Sequence, residues 1–310
     1  MKLIRDLNNL TPFYDGCVMT IGNFDGVHLG HQAIFKQLHK VSIKLNLPVV
    51  VMTFDPSPQE FFSKHPPARL TRLREKLGYF SQHNIENVVC LRFNTVLERL
   101  TAAEFVTDIL IKKLRMRHLI IGHDFRFGYQ RQGDYALLQS LSRQFGFELS
   151  KAVMINDVHG ERVSSTRVRE LLATGQLTQA QALLGHPYVM MGYVVHGNKL
   201  GRTLGFPTAN MELQRRKSPL QGVFAVKIHG LDNRVYVGVA SLGTRPAVGG
   251  TKMLLEVHFF DFNQTIYGKI LQIEFCHKLR DEENYDNLTL LTEQIAKDVI
   301  NAKDYFNDRL

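Results

Sequence analysis

Gly22-Asn23-Phe24-Asp25-Gly26-Val27-His28-Leu29-Gly30-His31, residues 22–31, decides how the first half of this chain folds. It closes an apolar run, CVMTIGNF (17–24), and opens HQAIFKQLHKVSIKLN (31–46), whose apolar residues recur at helical spacing. A strand passing into a helix through such a loop sets backbone N–H groups and the positive end of a helix dipole at the turn, a natural phosphate site. Glycines there, Gly26 and Gly30, allow tight turning and close approach of a phosphate. His28 and His31 are three apart, so both rings can point into one cleft, where imidazoles donate to phosphate oxygens. Two histidines with Asp25 could instead ligate a metal, or be surface decoration. The strand–loop–helix placement puts phosphate ahead of metal, and metal ahead of decoration.

Outward from this loop, strand-like and helix-like stretches alternate over the first 185 residues. LPVVVMTF (47–54), NVVCLRF (87–93), RHLIIG (117–122) and FELSKAVMI (147–155) read as strands; 71–83, 101–114 and 133–145 read as helices. That alternation implies a mostly parallel sheet covered on both faces, with ligands outside the strands' C-terminal ends. GNFDGVHLGH, TFDPSP and GHDFRFG all fall at those ends. Ser164-Ser165-Thr166-Arg167-Val168-Arg169 then opens an apolar helical run. A Ser or Thr at a helix start is usually a cap. Three hydroxyls with Arg169 one turn in also make an anion cradle, with Arg as a bidentate phosphate partner. Residues 164–184 read as two short helices split by Gly175, and Gly185-His186-Pro187 marks the domain boundary, giving domains 1–185 and 186–310.

Past that boundary the pattern changes. YVMMGYVVHG (188–197), VFAVKIHG (223–230), VYVGVASLG (235–243), MLLEVHFFDF (253–262) and KILQIEFCHKL (269–279) read as strands joined by turns such as Leu231-Asp232-Asn233 and Gly249-Gly250. An antiparallel barrel or sandwich is expected, with a helix over 285–308 packed on it. The loop His196-Gly197-Asn198-Lys199-Leu200-Gly201-Arg202-Thr203-Leu204-Gly205-Phe206 can wrap phosphates through its backbone N–H groups, although no Walker pattern is present. Thr208 and Asn210, two apart on an extended segment, share a face and offer oxygen ligands suited to Mg²⁺. Glu256 sits inside an apolar strand; alone it reads as a solvent-facing carboxylate, and beside a phosphate loop it reads as a base.

Composition bounds the partners. The chain has 310 residues, 44% hydrophobic and 22% charged, enough for two domains with real cores. Its net charge of +9 suits nucleic acid or small anions such as nucleotide phosphates. Lys and Arg are scattered, and the densest group, Arg69, Arg72, Arg74 and Lys76, reads as a solvated helix face. A nucleic-acid module would cluster these with exposed aromatics, so none is expected. Cys17, Cys90 and Cys276 lack any paired spacing, which argues against a disulfide framework or zinc ribbon and for apolar strand positions. No signal peptide and no membrane-length apolar run is seen, so a cytoplasmic protein without a membrane partner is expected.

The motifs are more specific than their composition. His-x-Gly-His after a strand, with a late Ser-Ser-Thr-x-x-Arg, resembles the nucleotidylyltransferases. The longer Gly-Asn-Phe-Asp-Gly-Val-His-Leu-Gly-His and Gly-His-Asp-Phe-Arg-Phe-Gly resemble their FAD synthetase branch. That resemblance implies a Rossmann-like sheet, catalytic phosphate-binding roles for His28 and His31, and a nucleotide site lined by Gly22, Asn23, Asp25 and Gly30. It further implies phosphate contacts from Ser164, Ser165, Thr166 and Arg169, with Asp124 on the flavin side. The chain departs from the family at Asp55-Pro56-Ser57-Pro58, where a His usually follows Asp-Pro. Gly-Arg-Thr-Leu-Gly-Phe-Pro-Thr-Ala-Asn, Gly-Val-Phe-Ala-Val, Ser-Leu-Gly-Thr-Arg-Pro and Leu-Glu-Val-His are similar, in order, to riboflavin kinase. This second resemblance implies a six-stranded antiparallel barrel with a C-terminal helix. It places Gly201, Arg202, Gly205, Thr208 and Asn210 on Mg–ATP, makes Glu256 the base, and has Leu279-Arg280-Asp281-Glu282 close over the flavin. Together the two imply a bacterial fused enzyme, a monomer or weak oligomer, whose partners are riboflavin, FMN, FAD, ATP, ADP and pyrophosphate, with Mg²⁺ as cofactor.

Overall fold

The computed structural model of the chain describes residues 1–5, 13–197, 200–247 and 250–308. These divide into two compact units, residues 1–67 with 72–163, and residues 68–71 with 164–310. In the first, β1 (Lys2–Ile4), β2 (Cys17–Ile21), β3 (Val49–Phe54), β4 (Asn87–Leu91), β5 (Met116–Ile121) and β6 (Glu148–Lys151) form one sheet, every pair parallel. The order is β1-β4-β3-β2-β5-β6, so the chain reverses direction across the sheet beside β2, the crevice position for a ligand in this architecture. Helices are α1 (Leu29–Leu45), α2 (Pro58–Phe62), α3 (Leu73–Gln82), α4 (Thr95–Arg99), α5 (Ala102–Glu104), which runs into a π-helix over Phe105–Lys113, and α6 (Tyr135–Phe145).

Alternation along the strands splits the core in two. Met19, Val50 and Met52 pack with Phe105, Leu110 and Leu138 on one face; Val18, Val49 and Val51 pack with Phe35, Leu38 and Phe80 on the other. Burial on both faces explains why these strands read as continuous apolar runs. The expected strand over 147–155 ends at Lys151, because its partner β5 ends at Ile121 and offers no further ladder. β1, with three residues, is too short to show a period in sequence.

The second unit begins with α7 (Ser165–Ala173) and α8 (Leu177–Leu184), separated at Gly175, where φ is +75°. Then follow β7 (Val189–Val195), α9 (Leu200–Thr203), β8 (Thr208–Glu212), β9 (Gly222–His229), β10 (Tyr236–Ala247), β11 (Gly250–Phe259), β12 (Ile270–Arg280) and α10 (Leu288–Asn307). The six strands close into an antiparallel barrel in the order β10-β11-β8-β7-β12-β9. Asn198, Lys199 and Gly249, which the sequence placed in a phosphate loop and a turn, lie outside the described residues. Cys17, Cys90 and Cys276 fall on β2, β4 and β12 as free thiols. No described helix is long and apolar enough to cross a membrane.

α10 is held to the barrel by an apolar seam, with Ala302 and Val299 packed near Val223 and Val239, and by one buried ion pair. Asp298, 3% exposed, accepts from Arg280 Nε at 2.9 Å and Nη2 at 2.8 Å, and from Gln294 at 3.0 Å. Removing one partner of such a pair strands the other charge, which costs about 3 kcal/mol or somewhat more. Asp298→Ala should therefore lower the urea midpoint of the barrel transition, followed by circular dichroism on the full chain. An unchanged midpoint would show that the apolar seam alone holds the helix.

Candidate active sites

The loop after β2 is built as its sequence demands. Phe24 (φ +48°), Gly26 (+82°) and Val27 (+43°) take left-handed conformations, and Val27 N–H donates to the Phe24 carbonyl at 3.3 Å to close the turn. Leaving Gly26 as the sole glycine among three such positions concentrates backbone strain in this loop, at the mouth of the sheet. His28 is the N-cap of α1 without a side-chain cap bond. The His28 and His31 rings stack with centroids 3.6 Å apart and 20° between planes. A side chain at Gly30 would press on the His28 ring at 3.1 Å, so glycine at this position leaves that ring its room.

His31 Nδ1 is buried without a hydrogen-bond partner among the described residues. Loss of hydration, then the neighbouring His28 and the Lys76 ammonium, hold the His31 imidazole well below its ordinary range, so it is neutral at pH 7. Lys76 corrects the sequence reading of a solvated basic face. It is 7% exposed, and its Nζ donates to the Asn23 carbonyl at 2.5 Å, where Thr53 Oγ1 also donates at 3.4 Å. Of Arg69, Arg72, Arg74 and Lys76, only Arg74 is exposed. A buried ammonium behind the loop adds positive potential where an anion would lie.

The same loop forms one wall of a cavity of about 860 Å³. Gly22 and Asn23 after β2, Phe54 at the end of β3, Phe93 after β4 and residues 124–128, 130 and 131 after β5 all line it, so it opens at the C-terminal ends of the strands. Phe62 and Phe93 meet at 5.6 Å, and Phe125 and Phe127 stack at 5.4 Å, giving flat apolar walls fit for an aromatic ring system. Asp124 pairs with Arg162 at the rim. Neither histidine lines this space. Ser57, which stands where a His was expected from the family pattern, is the N-cap of α2 and exchanges bonds with Glu60 in a capping box.

In the second unit, Ser164 caps α7 by accepting from Arg167 N–H at 3.3 Å, while Ser165 and Thr166 occupy its first turn. Arg169 Nε donates to the Ala68 carbonyl at 2.7 Å. A further cavity, of about 520 Å³, lies in the barrel. β8 pairs with β11 so that Asn210 is opposite Glu256 and Thr208 opposite His258; β10 pairs with β11 so that Ser241 is opposite Glu256. All five side chains line the cavity, as does Gly201. Arg202 and Gly205 do not line it; Arg202 is exposed on α9. A side chain at Gly201 would collide with the Phe206 carbonyl, so the loop closes on itself only with glycine there. Thr208 and Asn210 are hard oxygen donors too few to cage a cation, a set that fits Mg²⁺ carried largely by phosphate and water. Among the described residues no group of three His, Cys, Asp or Glu is arranged to hold a metal ion.

His258 and Ser241 escaped the sequence reading. His258 was findable, since it shares a face with Glu256 two residues earlier. Ser241 was not, since only strand register brings it there. Lys76 had a signal, its i,i+4 relation to the buried Phe80.

Comparisons with known proteins match a family to each half of the chain. A family model described as FAD synthetase matches residues 11–167, and one described as riboflavin kinase matches residues 184–306. A bifunctional riboflavin kinase/FMN adenylyltransferase from Escherichia coli (strain K12) is 47% identical over 308 residues, covering 99% of this chain and 98% of its own. Its counterpart from Haemophilus influenzae is 45% identical over 310 residues, covering 99% and 100%. A crystal structure from Streptococcus pneumoniae, named a macrolide-efflux protein, matches with a TM-score of 0.79 and 31% identity over 96% of each chain.

Proposed function

This chain belongs to the bifunctional riboflavin kinase/FMN adenylyltransferase family, and from that premise we infer how its two units phosphorylate riboflavin to FMN and adenylylate FMN to FAD. The observation that carries the reading is that each unit has its own cavity, one walled by aromatics beside a phosphate-type loop, the other holding the Glu256 carboxylate opposite Asn210, with Thr208 two residues along the same strand. We assign adenylyl transfer to residues 1–185 and phosphoryl transfer to residues 186–310.

In the barrel, Glu256 takes the proton of the ribityl 5′-hydroxyl, and the freed oxygen attacks the ATP γ-phosphorus as ADP leaves. Thr208 and Asn210 would hold Mg²⁺, which when bound neutralises phosphate charge. In the N-terminal unit an FMN phosphate oxygen attacks the ATP α-phosphorus, the bond from that phosphorus to the bridging oxygen breaks, and pyrophosphate departs. FMN is already an anionic nucleophile, so no strong base is required there and positioning does most of the work. His28 and His31 donate to the phosphates, Asn23 and Asp25 line the nucleotide, and the aromatic cavity beside Asp124 seats the flavin ring.

The test is a time course of purified protein with riboflavin, ATP and Mg²⁺, flavins being separated by chromatography. FMN should appear first and FAD later; untouched riboflavin together with untouched FMN in a second tube would overturn the reading. Chelation of Mg²⁺ should stop both steps, and turnover retained in chelator would remove the metal from the mechanism.

A further inference from the structure

The adenylylation just described uses the loop of residues 22–31 and its two histidines but gives no role to Lys76, which α3 places behind that loop. An ammonium leaves water only at a cost, so a buried lysine calls for an explanation. Lys76 Nζ donates to the Asn23 carbonyl at 2.5 Å, and Thr53 Oγ1, near the end of β3, donates to the same oxygen over a longer 3.4 Å. Two buried side chains from separate elements thus converge on one carbonyl of the loop. Phe24, the next residue, is left-handed, as are Gly26 and Val27, and such strain persists where the surroundings over-determine it. Asn23 lines the aromatic cavity, and the Phe24 ring meets the His31 ring at 5.2 Å. The anchored peptide therefore joins the cavity wall to the ring packed on His31.

The start of α3 is itself fixed. Glu75 accepts from the Arg72 N–H at 2.6 Å in a capping box, and the Lys76 N–H donates to the Arg72 carbonyl at 2.9 Å. The ammonium is thus carried on a rigid first turn. Its charge is felt inside the loop, since after burial and His28 it is the cause that depresses the His31 imidazole. A field that disfavours a cation at that point favours an anion.

We propose that Lys76 is a positioning residue for adenylyl transfer, pinning the Asn23 peptide from behind the loop and lending positive charge to the phosphates the loop receives. This rests on the reading of residues 22–31 as the phosphate loop of the adenylylation site. A residue acting in this way discriminates the charged part of the nucleotide from the uncharged part.

The experiment follows FAD formation from FMN by the full chain, at excess Mg²⁺, with two inhibitors competing against ATP. Pyrophosphate presents only the phosphate charge; adenosine presents only the uncharged remainder. Lys76→Met, which keeps the apolar stem but neither charge nor donor, should raise the inhibition constant of pyrophosphate about tenfold or more, the order expected of one desolvated charge, and leave that of adenosine within about twofold. Lys76→Gln keeps a donor for the Asn23 carbonyl, which guards against a loop that fails to form, and should show the same selectivity. Parallel rises for both inhibitors would mark Lys76 as merely structural, and an unchanged pyrophosphate constant would remove it from the phosphate site; both overturn the proposal. A wild-type chain that makes no FAD from FMN would instead bring down the adenylyltransferase reading itself, an outcome separate from the pattern among variants.

Discussion

Glu256→Ala is expected to abolish riboflavin phosphorylation by the full chain while FMN supplied directly is still converted to FAD. Glu256 is held on β11 between register partners on both sides, Asn210 and Ser241, inside the barrel cavity. No other carboxylate of the cavity sits on the β8–β11 row that carries Thr208 and Asn210; Glu282 comes from beyond β12, and Asp298 is spent on Arg280. Loss of a positioned base typically costs about 10²–10⁴ in rate. Glu256→Gln separates base from shape, since it keeps the volume and a carbonyl oxygen but cannot take a proton, and it should fall as far as the alanine variant. The measurement is FMN formed per unit time by chromatography, with FAD formation from added FMN as the control. A phosphorylation rate unchanged by either substitution would show that Glu256 is not the base.

His31→Ala should produce the opposite pattern, with FMN accumulating from riboflavin and no FAD following. The stacked His28–His31 pair stands at the N-terminus of α1, where backbone N–H groups and the helix dipole already favour an anion. His31 carries a buried ring nitrogen with no hydrogen-bond partner among the described residues, an arrangement that is costly unless a ligand completes it. Because burial, His28 and Lys76 keep that ring neutral in the free protein, it meets the triphosphate as a hydrogen-bond donor, not as a preformed cation. Removing one donor aimed at charge that develops during transfer costs about 10²–10³ in kcat. His31→Asn, which restores an N–H donor at shorter reach, should recover part of the loss. If both activities disappear together in His31→Ala, the division of labour between the two units is wrong.

The local chemistry of this protein is written in its sequence. Residues 22–31 announce a strand, a phosphate-type turn and a helix, because glycine spacing and apolar periodicity are properties of neighbouring residues. The Leu-Glu-Val-His alternation likewise shows that Glu256 and His258 share one face of a strand. Both element classes, parallel then antiparallel, follow from the same short-range patterns, and the family motifs add the two reactions. The limits are equally physical. The three-residue β1 and the early stop of β6 depend on which strand lies alongside, and hydrogen-bond pairing with a distant partner leaves no trace in local composition. Lys76 looked like part of a solvated face because charge suggests exposure, yet burial against Asn23 was decided by the packing of α3 beneath the loop. Ser57 was legible only as a departure from a pattern; the structure alone shows it spent on a helix cap. Above all, register is a long-range quantity. A slip of one residue between β10 and β11 would turn Ser241 away from Glu256, and only closure of the barrel brings these strands into the alignment that sets Asn210, Glu256 and Ser241 in one row.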